Sequence, residues 1–142
     1  MSGEADAAVV RRFYEDFSSR GDFAVADAIV APDMTFHEPG RELRGPEPLK
    51  ARVAQFRVAF PDLTIAIDDL VAADDRVVVR ITLRGTHRGT FAGIAPTGQA
   101  VVAESISILR VADGQIVEGW ASFDQLGMMQ QLGAKLALPF PR

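Results

Sequence analysis

The stretch Phe60–Leu83, FPDLTIAIDDLVAADDRVVVRITL, is where the hydrophobic period of this chain changes. Leu63, Ile65 and Ile67 alternate with Thr64 and Ala66, and Val77, Val79, Ile81 and Leu83 alternate with Val78, Arg80 and Thr82. A period of two belongs to strands with one buried face. AADDR, residues 72–76, reads as the turn between them. Before Phe60 the period is helical. After it, the period stays at two almost to the end.

Upstream, GPEPLKARVAQFRVAFPD (residues 45–62) predicts a long helix, with Pro46 in its first turn, Leu49, Val53, Phe56 and Phe60 as its stripe, and Pro61 as its stop. Earlier still, Val10, Phe13, Tyr14 and Phe17 fall on one face of a helix from about Glu4 to Ser19. SSRGD ends that helix. Asp22 suits the N-cap of a second, short helix carrying Phe23, Ala26, Ile29 and Val30, which Pro32 should stop. In DMTFHE, residues 33–38, Met34 and Phe36 alternate with Thr35 and His37, as in a short strand.

Downstream, the Gly-rich GTHRGTFAGIAPTG (residues 85–98) leads into a strand around Val101–Val111. ADGQ turns it into a further strand, Ile116–Phe123, before a short helix and a Pro-containing tail. Helices first and hairpin-linked strands after predict one α+β domain over residues 1–142. In it a curved antiparallel sheet wraps the long helix as a cone-shaped barrel, and the two N-terminal helices close an interior cavity.

The composition is that of an ordinary globular chain: 142 residues, 48% hydrophobic and 24% charged, with a formal charge of −4. That charge, with no basic run, argues against nucleic acid as a partner. With no cysteine, disulfides, thiolate catalysis and thiolate metal sites are excluded. The N-terminus mixes charges into its apolar positions, unlike a signal peptide, and no stretch has the apolar length of a membrane helix, so a cytoplasmic protein is expected.

Asp124 is the first candidate for chemistry. It follows Glu118, Trp120 and Ser122 on one strand face, where partial desolvation beside the indole could tune it as an acid/base. The same residue, followed by QLGMMQQLG, is an ordinary helix N-cap. Both readings stand at this level. His87, at the end of the Val77–Leu83 apolar face, could orient a carbonyl or exchange a proton, or could be a buried histidine bonded to backbone. His37, opposite in parity to Met34 and Phe36, faces a polar wall or solvent. Trp120, Phe36, Phe56 and Ile106 are the candidate substrate contacts. Two histidines fifty positions apart, outside any HExxH motif, give no metal site. Ser105, Ser107 and Ser122 lie in strands without a nucleophile elbow.

Taken together, FHEPG, AFPDLTI, the pattern GTHxGxFxGxxPTG over residues 85–98 and ExWxxxDxxxxxxQLG over residues 118–133 resemble the SnoaL-like polyketide cyclase, or ester cyclase, family. The resemblance covers nearly the whole chain. It implies a nuclear-transport-factor-2-like cone, paired as a homodimer through the sheet, acting on a small apolar polyketide or ester without a cofactor. It further implies that Asp124 is the acid/base of an intramolecular aldol closure. The family's cyclases also carry a histidine in the penultimate strand that helps bind substrate carbonyls. VVAESISILRVA lacks one, which makes His37 and His87 the candidate substitutes.

Overall fold

The computed structural model describes residues 2–135. Helix α1 (Ser2–Arg11) runs directly into a wider, π-helical segment, Arg12–Ser19, and α2 (Phe23–Ile29) follows. Strand β1 (Val30–Glu38) pairs with a short β2 (Arg41–Arg44), and α3 (Pro46–Ala59) crosses to the sheet. Strands β3 (Thr64–Ala73), β4 (Arg76–Thr86), β5 (Ala100–Ala112) and β6 (Gln115–Phe123) then form a meander, and α4 (Gln125–Gln131) ends the described elements. The sheet has six strands in the order β2-β1-β6-β5-β4-β3.

The α+β class is as the period change predicts, with two corrections. The sheet is mixed, because β1 lies parallel to β6 while every other neighbour is antiparallel. It is also open, with β2 and β3 at its edges, so the cone is not a closed barrel.

Local chemistry accounts for the other departures. Pro32 does not end a helix; α2 stops at Ile29 and β1 runs through the proline. The β1–β6 register jumps between Val30–Ile116 and Thr35–Glu118, and that irregularity accommodates a residue with no N–H to donate. Asp22 holds the N-cap position of α2, but its side chain makes no cap bond. A second bulge, between Arg110 and Val111, sets Glu118 directly opposite Arg110 and Trp120 opposite Ile108. Continued without that bulge, the Ala112–Gln115 register would have put Glu118 across from Leu109, on the opposite face from Arg110.

One apolar cluster gathers Val10, Phe13 and Phe17 with Ile29, Met34, Val77, Val79 and Leu109. Another joins Phe60, Leu63, Leu83 and Val101 to Met128 and Leu132 of the C-terminal turn. No helix of the described residues is long and apolar enough to cross a membrane.

Candidate active site

The concave side of the sheet, α3 and the π-helical segment enclose a cavity of about 700 Å³. The π-helical segment contributes Phe13, Tyr14, Phe17 and Ser18. Its wide i→i+5 turn brings Ser18 onto the face that the helical stripe already assigned to Phe13, Tyr14 and Phe17, and such segments are common at functional sites. From α3 come Leu49, Arg52, Val53 and Phe56. The sheet presents Ile81, Leu83, Ser105, Ser107, Ala121 and Phe123.

At the rim, the connection between β4 and β5 places Phe91 edge-on to Phe56, ring centroids 5.1 Å apart. That connection is tied down twice. Arg88 and Gly89 both donate their backbone N–H to Ala59 O, and a Cβ on Gly89 would stand 2.3 Å from Val58 O. At its other end it is fastened to His87.

The cavity lining includes several polar groups, a number of them paired with one another. The Tyr14 hydroxyl donates to Ser107 Oγ at 3.0 Å, and burial pushes the phenol up to about 12, the bond to Ser107 acting in the opposite sense. Arg52 makes a two-pronged pair with Glu38, Nη2 donating to Oε1 at 2.7 Å and Nη1 to Oε2. Arg41 Nε stands 3.6 Å from the same carboxylate. Among the described lining residues, Glu38 is the one carboxylate.

Of the residues singled out from the sequence, Phe36 and Phe56 line this cavity. The others lie elsewhere. Asp124 is exposed and caps α4, its Oδ1 accepting Gly127 N–H at 2.9 Å; its chain neighbours Phe123 and Gln125 line the cavity, and it does not. Trp120 belongs to the convex side of the sheet, where its indole stacks on His37 at 5.4 Å and Arg76 lies 5.8 Å above it. His37 is gripped there by Glu118, Nε2 to Oε2 at 2.8 Å, with Glu42 3.2 Å from Nδ1. Its bond to Glu118 outweighs desolvation and raises the imidazole above its ordinary value, while Glu118 is lowered chiefly by the same bond. Ile106 is 54% exposed on the convex face.

His87 is fully buried behind Phe60, ring centroids 5.7 Å apart, and is absent from the cavity wall. Its Nδ1 accepts Thr97 N–H at 3.1 Å, which places the ring proton on Nε2. Nε2 has no hydrogen-bond partner among the described residues. His87 N–H also bonds to Gln99 O and Gly98 N–H to His87 O, so this residue fastens the end of the rim connection.

Sequence reasoning passed over Ser105, Ser107, Glu38 and Arg52 as site residues. A signal existed for the serines. Val101, Ala103, Leu109 and Val111 mark the odd positions of β5 as the buried face, so Ser105 and Ser107 share it and Ile106 cannot. For Glu38 and Arg52 there was none, because their pairing depends on how α3 crosses β1.

The family model of the SnoaL-like polyketide cyclases matches residues 8–132, and the chain belongs to this family of enzymes. Among its relatives, the aklanonic acid methyl ester cyclase DnrD of Streptomyces peucetius is 31% identical, covering 98% of this chain and 97% of its own. The aklanonic acid methyl ester cyclase AcmA of Streptomyces galilaeus is 33% identical over 89% of each. Among solved structures, IdmH of Streptomyces antibioticus superposes with a TM-score of 0.80 at 30% identity, over 91% of this chain and 99% of that one.

Proposed function

We propose that this protein closes a ring within a small polyketide-like ester by cofactor-independent acid/base catalysis. The observation that carries the proposal is the cavity of about 700 Å³, walled by Phe36, Phe56 and Phe91 with a few fixed polar groups, in a chain whose relatives cyclise a polyketide methyl ester. Its size and lining suit a drug-sized apolar ligand.

The chemistry needs a carbon made acidic by flanking carbonyls. A carboxylate takes a proton from that carbon, and the resulting enolate attacks a ketone or aldehyde in the same molecule. A C–C bond forms, the carbonyl becomes an alkoxide, and the protonated carboxyl returns its proton to it. No mass is gained or lost. The aromatic walls hold the chain folded so that the reacting carbons meet, which supplies much of the rate, and they limit water.

Asp124 is the proposed base by its position in the family motif. A second assignment is favoured by one observation: Glu38 is the carboxylate that reaches the cavity wall, with Arg52 orienting it. Incubation with aklanonic acid methyl ester, followed by chromatography and mass spectrometry, tests the function through a product of unchanged mass with one open-chain carbonyl fewer. Comparing Asp124→Asn with Glu38→Gln identifies the base, because only the true base is indispensable to turnover. Substrate recovered unchanged from the parent protein overturns the reading.

Homodimerisation through the convex face is part of the proposal. Val71, Val78 and Ile108, all exposed, stand in register across β3, β4 and β5, with Ile106 beside them. Such a contiguous apolar patch is characteristic of a protein contact.

A further inference from the structure

The charges in the cavity wall do not cancel. The chain carries −4 overall, yet the charged residues among the described lining are Glu38, Arg41 and Arg52, one carboxylate against two guanidiniums. Local structure brings the three together. Pro39 and Gly40 turn β1 into β2, with Gly40 at a φ of 78°, left-handed backbone that glycine adopts without strain. Across that turn Glu38 is in register with Arg41, so their side chains stand on one face. Arg52 reaches them from α3, where it falls on the inward stripe of Leu49, Val53 and Phe56.

The two arginines are differently committed. Both Nη atoms of Arg52 donate to Glu38, whose side chain is only 14% exposed. Arg41 makes no side-chain hydrogen bond to a described residue; its Nε stands 3.6 Å from Glu38 Oε1, and its side chain is 61% exposed. The other exposed lining residues, Pro39, Gln55, Thr90, Ala92 and Gln125, mark the mouth of the cavity. Arg41 is the one charge among them.

We infer that Arg41, with Arg52 behind it, forms a subsite at the mouth for a carboxylate on the outer end of a ligand whose apolar body fills the cavity. The inference goes beyond ring closure, because it specifies the far end of the ligand, whichever group reacts inside. A carboxylate seated there balances the guanidiniums, two against two. Arg41 has its planar fork of donors to offer, which a carboxylate matches with both oxygens. Arg52, already fixed by Glu38, adds positive potential without having to move. Glu38 limits the site, since its own charge opposes an incoming anion.

Two probes of one frame test this without recourse to turnover. 2-Naphthoate and methyl 2-naphthoate are titrated separately into the parent protein at pH 7, followed by naphthalene fluorescence; they differ in the charge of the carboxyl group. The parent is expected to bind the carboxylate about fivefold more tightly than the ester. Arg41→Gln should bring the two near parity, a change on the scale of a solvent-exposed ion pair. Glu38→Gln, which removes the competing carboxylate, should raise the preference about threefold further. Affinity for the ester should stay within about twofold in both variants, since the apolar walls are untouched. Opposite changes from neighbouring substitutions distinguish a charge effect from structural disturbance, which weakens both probes together. The preference should also shrink as sodium chloride is raised from about 20 mM to about 500 mM.

Equal affinity of the parent for the two probes overturns the subsite, as does failure of either to bind at millimolar concentration. A preference that Arg41→Gln leaves unchanged, or that Glu38→Gln lowers, also overturns it and makes Arg41 a solvated rim charge only. Ring closure of aklanonic acid methyl ester is scored separately. Its absence removes the cyclase reading and leaves the preference standing; its presence without any preference removes the mouth subsite alone.

Discussion

Asp124 Oδ1 accepts the backbone N–H of Gly127 at 2.9 Å, closing the first turn of α4 just where β6 ends. The contact is tight: a Cβ on Gly127 would come within 2.2 Å of the Asp124 carboxylate. Asp124→Ala is therefore expected to lose about 0.5–2 kcal/mol in urea unfolding. Asp124→Asn, which keeps a capping oxygen, should hold nearly all of it. Gly127→Ala should weaken the cap from the other side, and a stability equal to the parent's contradicts the capping role.

Separating the cap from the chemistry needs the same variant in a turnover assay. If Asp124 is the base, Asp124→Asn keeps its unfolding midpoint and loses cyclisation by about a hundredfold or more, the scale of a general base. Full activity in Asp124→Asn, with loss in Glu38→Gln, transfers the role to the carboxylate inside the cavity.

On the convex face, His37 and Glu118 titrate against each other. The imidazole is raised above its ordinary 6.5, so its contribution to stability is complete below that value and disappears as pH rises through the folded one. Glu118 is lowered below 4.5, so its contribution is present above that value and disappears as pH falls through its folded one. The pair is therefore fully formed between these limits. In a proton NMR titration the His37 midpoint should lie above 6.5 in the parent and move down in Glu118→Gln; an unmoved midpoint dissociates the two.

Gly89 is where the rim connection touches the end of α3. Gly89→Ala has no room, since the obstructing atom is the Val58 carbonyl oxygen of the backbone. The connection should lift, taking Phe91 off Phe56. Limited proteolysis between residues 88 and 97 should become faster in this variant while the unfolding transition stays cooperative. Unchanged cleavage shows that the connection opens independently of that contact.

Ile106 and Val78 carry the predicted subunit contact. Ile106→Asp, alone or with Val78→Asp, should convert a dimer to a monomer in light scattering without loss of helix content, because neither residue belongs to either buried cluster. A parent that is monomeric at micromolar concentration removes the contact altogether.

What could be read from the sequence was whatever depends on near neighbours. Alternation in Val77–Leu83 marked a strand and its buried face, and Asp124 before an apolar-periodic run marked a cap. Geometry that depends on distant partners stayed hidden. The bulge at Arg110–Val111 changes which residues face Glu118 and Trp120, and its cause lies in the fit of two strands rather than in either one. Parity alone assigned Trp120 to the face of Glu118, as observed, but only the curvature of the sheet decides that this face is convex. The inward face of Ser105 and Ser107 is legible from the parity of Val101, Ala103, Leu109 and Val111.

The parallel pairing of β1 with β6 bears on how the molecule is made. Val30 meets Ile116, and His37 meets Trp120, so the strand carrying Phe36 waits for a partner that is among the last parts of the fold to be synthesised. At about 5–20 residues per second, a nascent chain spends several seconds with β1 unpaired along one edge. Contacts this distant in sequence also form slowly. Because Phe36 lines the cavity and the strand carrying it is paired by β6, the cavity wall is complete only after β6 has been made.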